Sequence, residues 1–165
     1  MLSCPGFKVL SMDSFSGKQP EPRQGTTQNQ PFWPDVDIGK FCRDYRVPSE
    51  LDTGTIKAHL SHAMLETNIQ LIEYRKCQMD EGYKNLADIP AETIADESRL
   101  LMLYRRAMSC RCKAIICRDY PTIDRREPAE NQAKSAYDTE VSNLCNADKA
   151  IRAFLELSDI SVDFL

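Results

Sequence analysis

An all-α fold follows from three observations in this 165-residue sequence. Apolar residues recur at three- and four-residue steps over three long stretches, separated by segments that contain Gly82, Pro90, Pro121 and Pro128. Aspartates stand where those stretches begin, placed to cap the free amides of a first helical turn. A strand-like period of two is confined to the last eight residues. The expected architecture is a bundle of three long helices plus a short N-terminal helix, with extended arms at both ends. Its parts are an N-terminal arm over 1–31, a helical body over 32–157 and a C-terminal tail over 158–165.

The arm carries scattered apolar residues, Phe7, Val9, Leu10, Met12 and Phe15, followed by a polar stretch rich in proline and glutamine that cannot bury enough surface to fold alone. The apolar part is suited to docking on a neighbouring molecule. Phe32-Trp33-Pro34-Asp35 opens the ordered part. Asp35 or Asp37 caps a short helix whose inward residues are Ile38, Phe41, Cys42 and Tyr45, and Val47-Pro48 closes it. Trp33, the single tryptophan, is expected to be a packing anchor with its indole N–H reaching outward.

Asp52 or Thr53 caps the first long helix, which runs to Glu81 with Ile56, Leu60, Ala63, Met64, Leu71, Ile72 and Tyr74 on its inner face. At 1.5 Å per residue it would be about 40 Å long. Gly82 suits the left-handed position that ends a helix, and Ile89-Pro90 keeps the connection extended. The central helix restarts near Asp96 as its cap and presents Leu100, Leu101, Leu103, Tyr104, Ala107, Met108, Ala114, Ile115 and Ile116 before ending at Tyr120. The last helix follows Ile123-Asp124-Arg125-Arg126, with Pro128 near its first turn. Its stripe is Ala133, Ala136, Tyr137, Val141, Leu144, Ala147, Ile151, Phe154 and Leu155. In the tail, Ile160, Val162 and Phe164 alternate with Ser161 and Asp163, and such a strand is suited to a partner's sheet edge or groove.

Composition excludes several classes. Hydrophobic content of 42% with a formal net charge of −4 describes an ordinary soluble chain and names no partner. No apolar run is long enough to span a bilayer and no secretory leader opens the chain, so synthesis and residence in the cytosol are expected. The seven cysteines fall mostly inside helical stretches, which suits reduced thiols better than a disulfide framework.

Chemistry-bearing motifs are weak. His59 and His62 lack the spacing and the glutamate of a zinc peptidase helix, and no Glu-x-x-His of a di-iron bundle occurs. Cys110, Cys112 and Cys117 share one helix, where residues two apart point away from each other and do not jointly grip an ion. A nucleophilic thiol would have only Arg111 and Arg118 to lower its pKa. There is no glycine-rich phosphate loop. No catalytic, metal or cofactor site is expected, and the chain is not read as an enzyme.

Charge placement is the stronger signal. From Arg99 to Arg126 the sequence holds eight cations against Asp119 and Asp124. Arg99, Arg106 and Lys113 step by seven along the central helix, and Arg111 with Arg118 forms a second row. These rows are expected to meet acidic residues such as Glu130, Asp138, Glu140, Asp148 and Glu156 on a neighbouring helix or subunit, to face a polyanion such as DNA, or simply to be solvated.

Phe32-Trp33-Pro34-Asp35 with Phe41-Cys42-Arg43-Asp44-Tyr45, then Gly82-Tyr83-Lys84-Asn85-Leu86-Ala87-Asp88-Ile89-Pro90, then Glu97-Ser98-Arg99-Leu100 and Leu103-Tyr104-Arg105-Arg106-Ala107, resemble the head completion and stabilisation proteins of contractile-tailed temperate phages, the gene L product family. The resemblance covers about Phe32 to Phe154. It implies a structural virion protein that acts after DNA packaging: it binds the portal protein ring, retains the genome and presents a surface to neck and tail-completion proteins. It further implies self-assembly into a ring of about twelve copies through which DNA passes without sequence-specific binding, no membrane contact, and a place at the head-to-tail interface of the virion after a period in the host bacterial cytoplasm. On this reading Ile160, Val162, Phe164 and Leu165 dock on the portal, Arg99, Arg106, Lys113, Arg111 and Arg118 face a neighbouring subunit or the channel, and Trp33, Phe41, Tyr45, Tyr83, Leu103 and Tyr104 are packing anchors. The competing reading is a cytosolic helical interaction adaptor with no virion role.

Overall fold

The computed structural model describes residues 23–120 and 129–157, and over 129–136 its description is limited to the helical backbone. Two residues of β1 (Thr26–Thr27) pair antiparallel with β2 (Val36–Asp37), Thr26 opposite Asp37 and Thr27 opposite Val36. There follow α1 (Ile38–Asp44), α2 (Thr53–Gln70), α3 (Ile72–Asp80) and a 3-10 turn over Leu86–Asp88. A tight hairpin of β3 (Thr93–Ile94) and β4 (Glu97–Ser98) leads into α4 (Arg99–Asp119), and α5 (Ala129–Phe154) completes the body. The described residues are thus mostly helical, with two small antiparallel ladders that the all-α expectation did not contain.

The helix starts are chemical. Asp37 accepts from the Lys40 amide at 2.6 Å and Asp52 from the Thr55 amide at 3.0 Å, each satisfying one of the unpaired donors of a first turn. The Thr55 hydroxyl also donates to Asp52, and these bonds hold the Asp52 carboxyl below its ordinary range. Gly82 ends α3 at φ +99°, a conformation that costs a residue with a Cβ. Gly39 is required for a different reason. A Cβ there would meet the Arg23 carbonyl oxygen at 2.4 Å, so α1 packs directly on the entering chain.

Two helix expectations meet a different outcome. The first long helix is interrupted at Leu71, whose backbone (φ −101°, ψ 13°) separates α2 from α3. One turn earlier the buried Thr67 hydroxyl donates back to the Ala63 carbonyl at 2.8 Å, a local competitor for the helical ladder. The central helix starts at Arg99 rather than Asp96. Ala95 and Asp96 take φ of 51° and 62° at the tip of the β3–β4 hairpin, the geometry of a primed two-residue turn, which twists in the same sense as the strands it joins. Ahead of Phe32, the Arg23 guanidinium donates to the Pro48 and Leu51 carbonyls at 2.6 and 2.7 Å.

The central α4 lies between α2 and α5 and carries two cores along its length. Its C-terminal half packs Met108, Cys112, Ile115 and Ile116 on Val36, Ile38 and Phe41 and on Ile56, Leu60, Ala63 and Met64 of α2. Its N-terminal half packs Leu100, Tyr104 and Ala107 on Phe32, Trp33, Leu71, Leu86, Ile89 and the end of α5, Ala150, Ile151 and Phe154. Trp33 stacks on Tyr104 with ring centroids 4.8 Å apart and planes 7° from parallel. Contrary to the expectation of an outward indole, Trp33 is 3% exposed and its N–H is buried without a hydrogen-bond partner among the described residues.

Candidate interaction surface

A polar seam runs between the two cores. The Asn29 side-chain amide donates to the Tyr104 hydroxyl at 2.7 Å, that hydroxyl donates to Asn68 Oδ1 at 2.6 Å, and Asn68 Nδ2 donates back to Asn29 Oδ1 at 2.9 Å. Three segments far apart in sequence are closed into one hydrogen-bonded loop. Burial pushes the Tyr104 phenol well above its ordinary pKa, so it stays protonated and keeps donating.

Beside the seam lies Arg111, 5% exposed, between α2 and α5. Its Nη2 donates to Gln70 Oε1 at 3.1 Å and lies 3.4 Å from Asp148 Oδ1, and its Nε is 3.6 Å from Glu66 Oε2. The guanidinium is paired inside its own chain and binds the three helices together. Arg99 is likewise held, against Glu156 at 2.6 Å and Glu92 at 4.0 Å, and Arg118 is held by the neighbouring Asp119 at 3.0 Å. Lys113 reaches the Arg46 carbonyl at 3.4 Å. Arg106 is exposed and makes no ion pair among the described residues. Of the five stripe residues, then, Arg106 is the freest to meet something outside the chain.

Arg106 lies on the rim of an open groove of about 780 Å³ between β2, α1, the β3–β4 hairpin, α4 and α5. The wall holds Val36, Phe41, Tyr45, Met102, Leu103 and Met108, with Asn143 and Asn146 of α5 closing one side. The charged rim is mixed, with Asp35, Asp37, Asp44 and Glu97 alongside Lys40, Arg105 and Arg106. Arg105 pairs with Glu97. The Tyr45 phenol faces the side chains of Ser109 and Cys110, and burial, with Cys110 beside it, pushes its pKa up to about 12.

Among the described residues, two apolar faces are left uncovered. Leu65, Ile69 and Ile72 are 50%, 58% and 39% exposed, on the side of α2 and α3 away from the core. The predicted stripe of the last helix also divides: Ala147, Ile151 and Phe154 are buried, whereas Tyr137, Val141 and Leu144 stand 64%, 40% and 39% exposed. The α2 face is detectable in sequence, since Leu65 and Ile69 add apolar positions opposite the stripe of Ile56, Leu60 and Ala63. The groove is not, because its walls come from five elements: β2, α1, the β3–β4 hairpin, α4 and α5. Tyr83 and Leu103 pack against the aromatic core, and Phe41 stacks on Tyr45 with centroids 5.4 Å apart. Ile160, Val162, Phe164 and Leu165 lie outside the described residues.

The remaining candidates do not converge on a chemical centre. His62 reaches Glu66 at 3.4 Å while His59 sits edge-on to Tyr120, centroids 5.9 Å apart. Among the described residues no His, Cys, Asp and Glu side chains gather as a metal-holding set, and no helix is long and apolar enough to cross a membrane. Burial pushes the Cys110 and Cys112 thiols up, opposite to the activation a nucleophile needs. The six described cysteines are free thiols.

The comparisons with known proteins agree with one another. The chain is 28% identical over 117 residues to the head completion/stabilization protein of Escherichia phage P2, covering 71% of this chain and 69% of that protein. It is 25% identical over 139 residues to the probable head completion/stabilization protein of Haemophilus phage HP1 (strain HP1c1), covering 84% and 91%. No solved structure matches. The family model for the phage head completion protein (GPL) matches residues 27–165, which includes both cores, the groove and the tail, and the chain belongs to that family.

Proposed function

We propose that this protein is a structural component of a tailed-phage virion that completes the filled head: it binds the portal vertex after DNA packaging, helps retain the genome and offers the surface on which neck and tail-completion proteins assemble. The family match over residues 27–165 carries this reading. The uncovered apolar faces of α2 and α5 support the self-assembly part, because a ring needs two different, complementary patches on each subunit. The ring has about twelve copies, as the resemblance implies. The segment at Ile160, Val162, Phe164 and Leu165 docks on the portal, and Arg106 with Lys113 faces the channel or the next subunit. DNA passing such a surface meets phosphate contacts alone and is not read by sequence.

Native mass spectrometry of the purified chain, alone and with its cognate portal ring, tests this directly. Assembly of a ring on the portal is the expected result; indifference to the portal would return the chain to a cytosolic adaptor role. Removing residues 158–165 is expected to weaken portal binding with the helical body intact. Unchanged binding would take the docking role from that segment.

A further inference from the structure

The groove beside Arg106 has a built-in candidate occupant. We propose that it seats the chain's own N-terminal segment from Phe7 to Phe15. The chain enters the described body at Arg23, whose carbonyl oxygen touches Gly39 on α1, and the next two residues of that helix, Lys40 and Phe41, belong to the groove. Seven residues separate Phe15 from Arg23, and the connection spans up to about 28 Å when extended, ample to cross a single helix. Tethering at this distance makes docking intramolecular and favours it over a free competitor.

The chemistry of segment and groove also corresponds. Phe7, Val9, Leu10, Met12 and Phe15 are apolar and match a wall of Phe41, Tyr45, Met102 and Leu103. Lys8 and Asp13 provide one charge of each sign. On the rim, Arg105 and Glu97 already pair with each other, whereas Lys40, Asp44 and Arg106 make no ion pair among the described residues and can receive both signs. The C-terminal tail fits less well: its only charged side chains are Asp159 and Asp163, against a rim of four carboxylates and three cations.

The test uses the full-length chain with photoreactive benzoylphenylalanine at Phe7 or, separately, Phe15, irradiated as an equal mixture of light and heavy isotope-labelled chains and mapped by mass spectrometry. Crosslinks to Tyr45, Met102 or Leu103 within one chain are expected. They should fall about tenfold with Met102→Glu, which places a charge on the apolar wall at a half-exposed position that does not support the fold. Crosslinks joining light to heavy chains would overturn the proposal in favour of a second copy. Crosslinks confined to surfaces outside the groove would overturn it altogether.

Discussion

The two cores on α4 are made differently. The one around its C-terminal half is mainly aliphatic and sulfur-bearing, with Phe41 its one buried ring, and is drawn from β2, α1, α2 and α4, where Met108, Cys112 and Ile116 pack with Ile56 and Met64. The one around its N-terminal half is aromatic and draws on segments from Phe32 to Phe154, with Trp33 flat on Tyr104 and Phe154 edge-on to Tyr74 at 4.8 Å. Flexible aliphatic side chains absorb small changes of shape, whereas stacked rings do not. The difference teaches where the fold is tolerant and where it is specified.

Removing the stack is the most severe way to break that contrast. Trp33→Ala is expected to cost about 3–5 kcal/mol in urea denaturation, because the cavity opens among rings that cannot close over it. Arg111 separates packing from charge. Arg111→Ala is expected to cost about 2–4 kcal/mol, while Arg111→Met, which fills the same space and relieves the buried guanidinium of its desolvation, should be near neutral.

Tyr104→Phe keeps the ring and removes the hydroxyl from the seam, leaving Asn68 Oδ1 without its donor and Asn29 Nδ2 with one acceptor fewer. The expected loss is about 1–3 kcal/mol. It has a pH signature. Folded Tyr104 holds its proton above the unfolded tyrosine value, so its contribution is complete below about pH 10 and is lost as pH rises beyond that, at up to about 1.4 kcal/mol per unit. Denaturation midpoints at pH 9 and pH 11 should therefore differ more in the parent than in Tyr104→Phe. At the mild end, Met108→Leu in the aliphatic core should cost less than about 1.5 kcal/mol. A larger loss there would erase the distinction between the two cores.

Local chemistry was legible in the sequence. Asp37 and Asp52 announce their helices, Gly82 ends α3, and Ile89 before Pro90 is extended at ψ 125°. The β3–β4 hairpin was not, because its turn uses Ala95 and Asp96 where asparagine and glycine give the usual signal, and an aspartate before an apolar run reads as a helix cap. The seam was hidden for another reason. Asn29 falls in a proline- and glutamine-rich stretch, and no periodicity announces that its partners are at positions 68 and 104. Arg111 belonged to a cationic row by spacing, yet spacing does not reveal that α2 and α5 close over it. Of the groove, Phe41, Tyr45 and Leu103 were identifiable as apolar positions, but their meeting with α5 and the hairpin is a tertiary fact.

The seam also has a mechanical meaning. Displacing α4 along its own axis by one helical turn, about 5.4 Å, would carry the Tyr104 hydroxyl away from both asparagines and its ring off Trp33. The two hydrogen bonds of the Tyr104 hydroxyl form at a single register, and each buried group left unpaired adds about 1–3 kcal/mol, so Asn29 and Asn68, tied to each other, act as a detent that holds α4 in position under axial load.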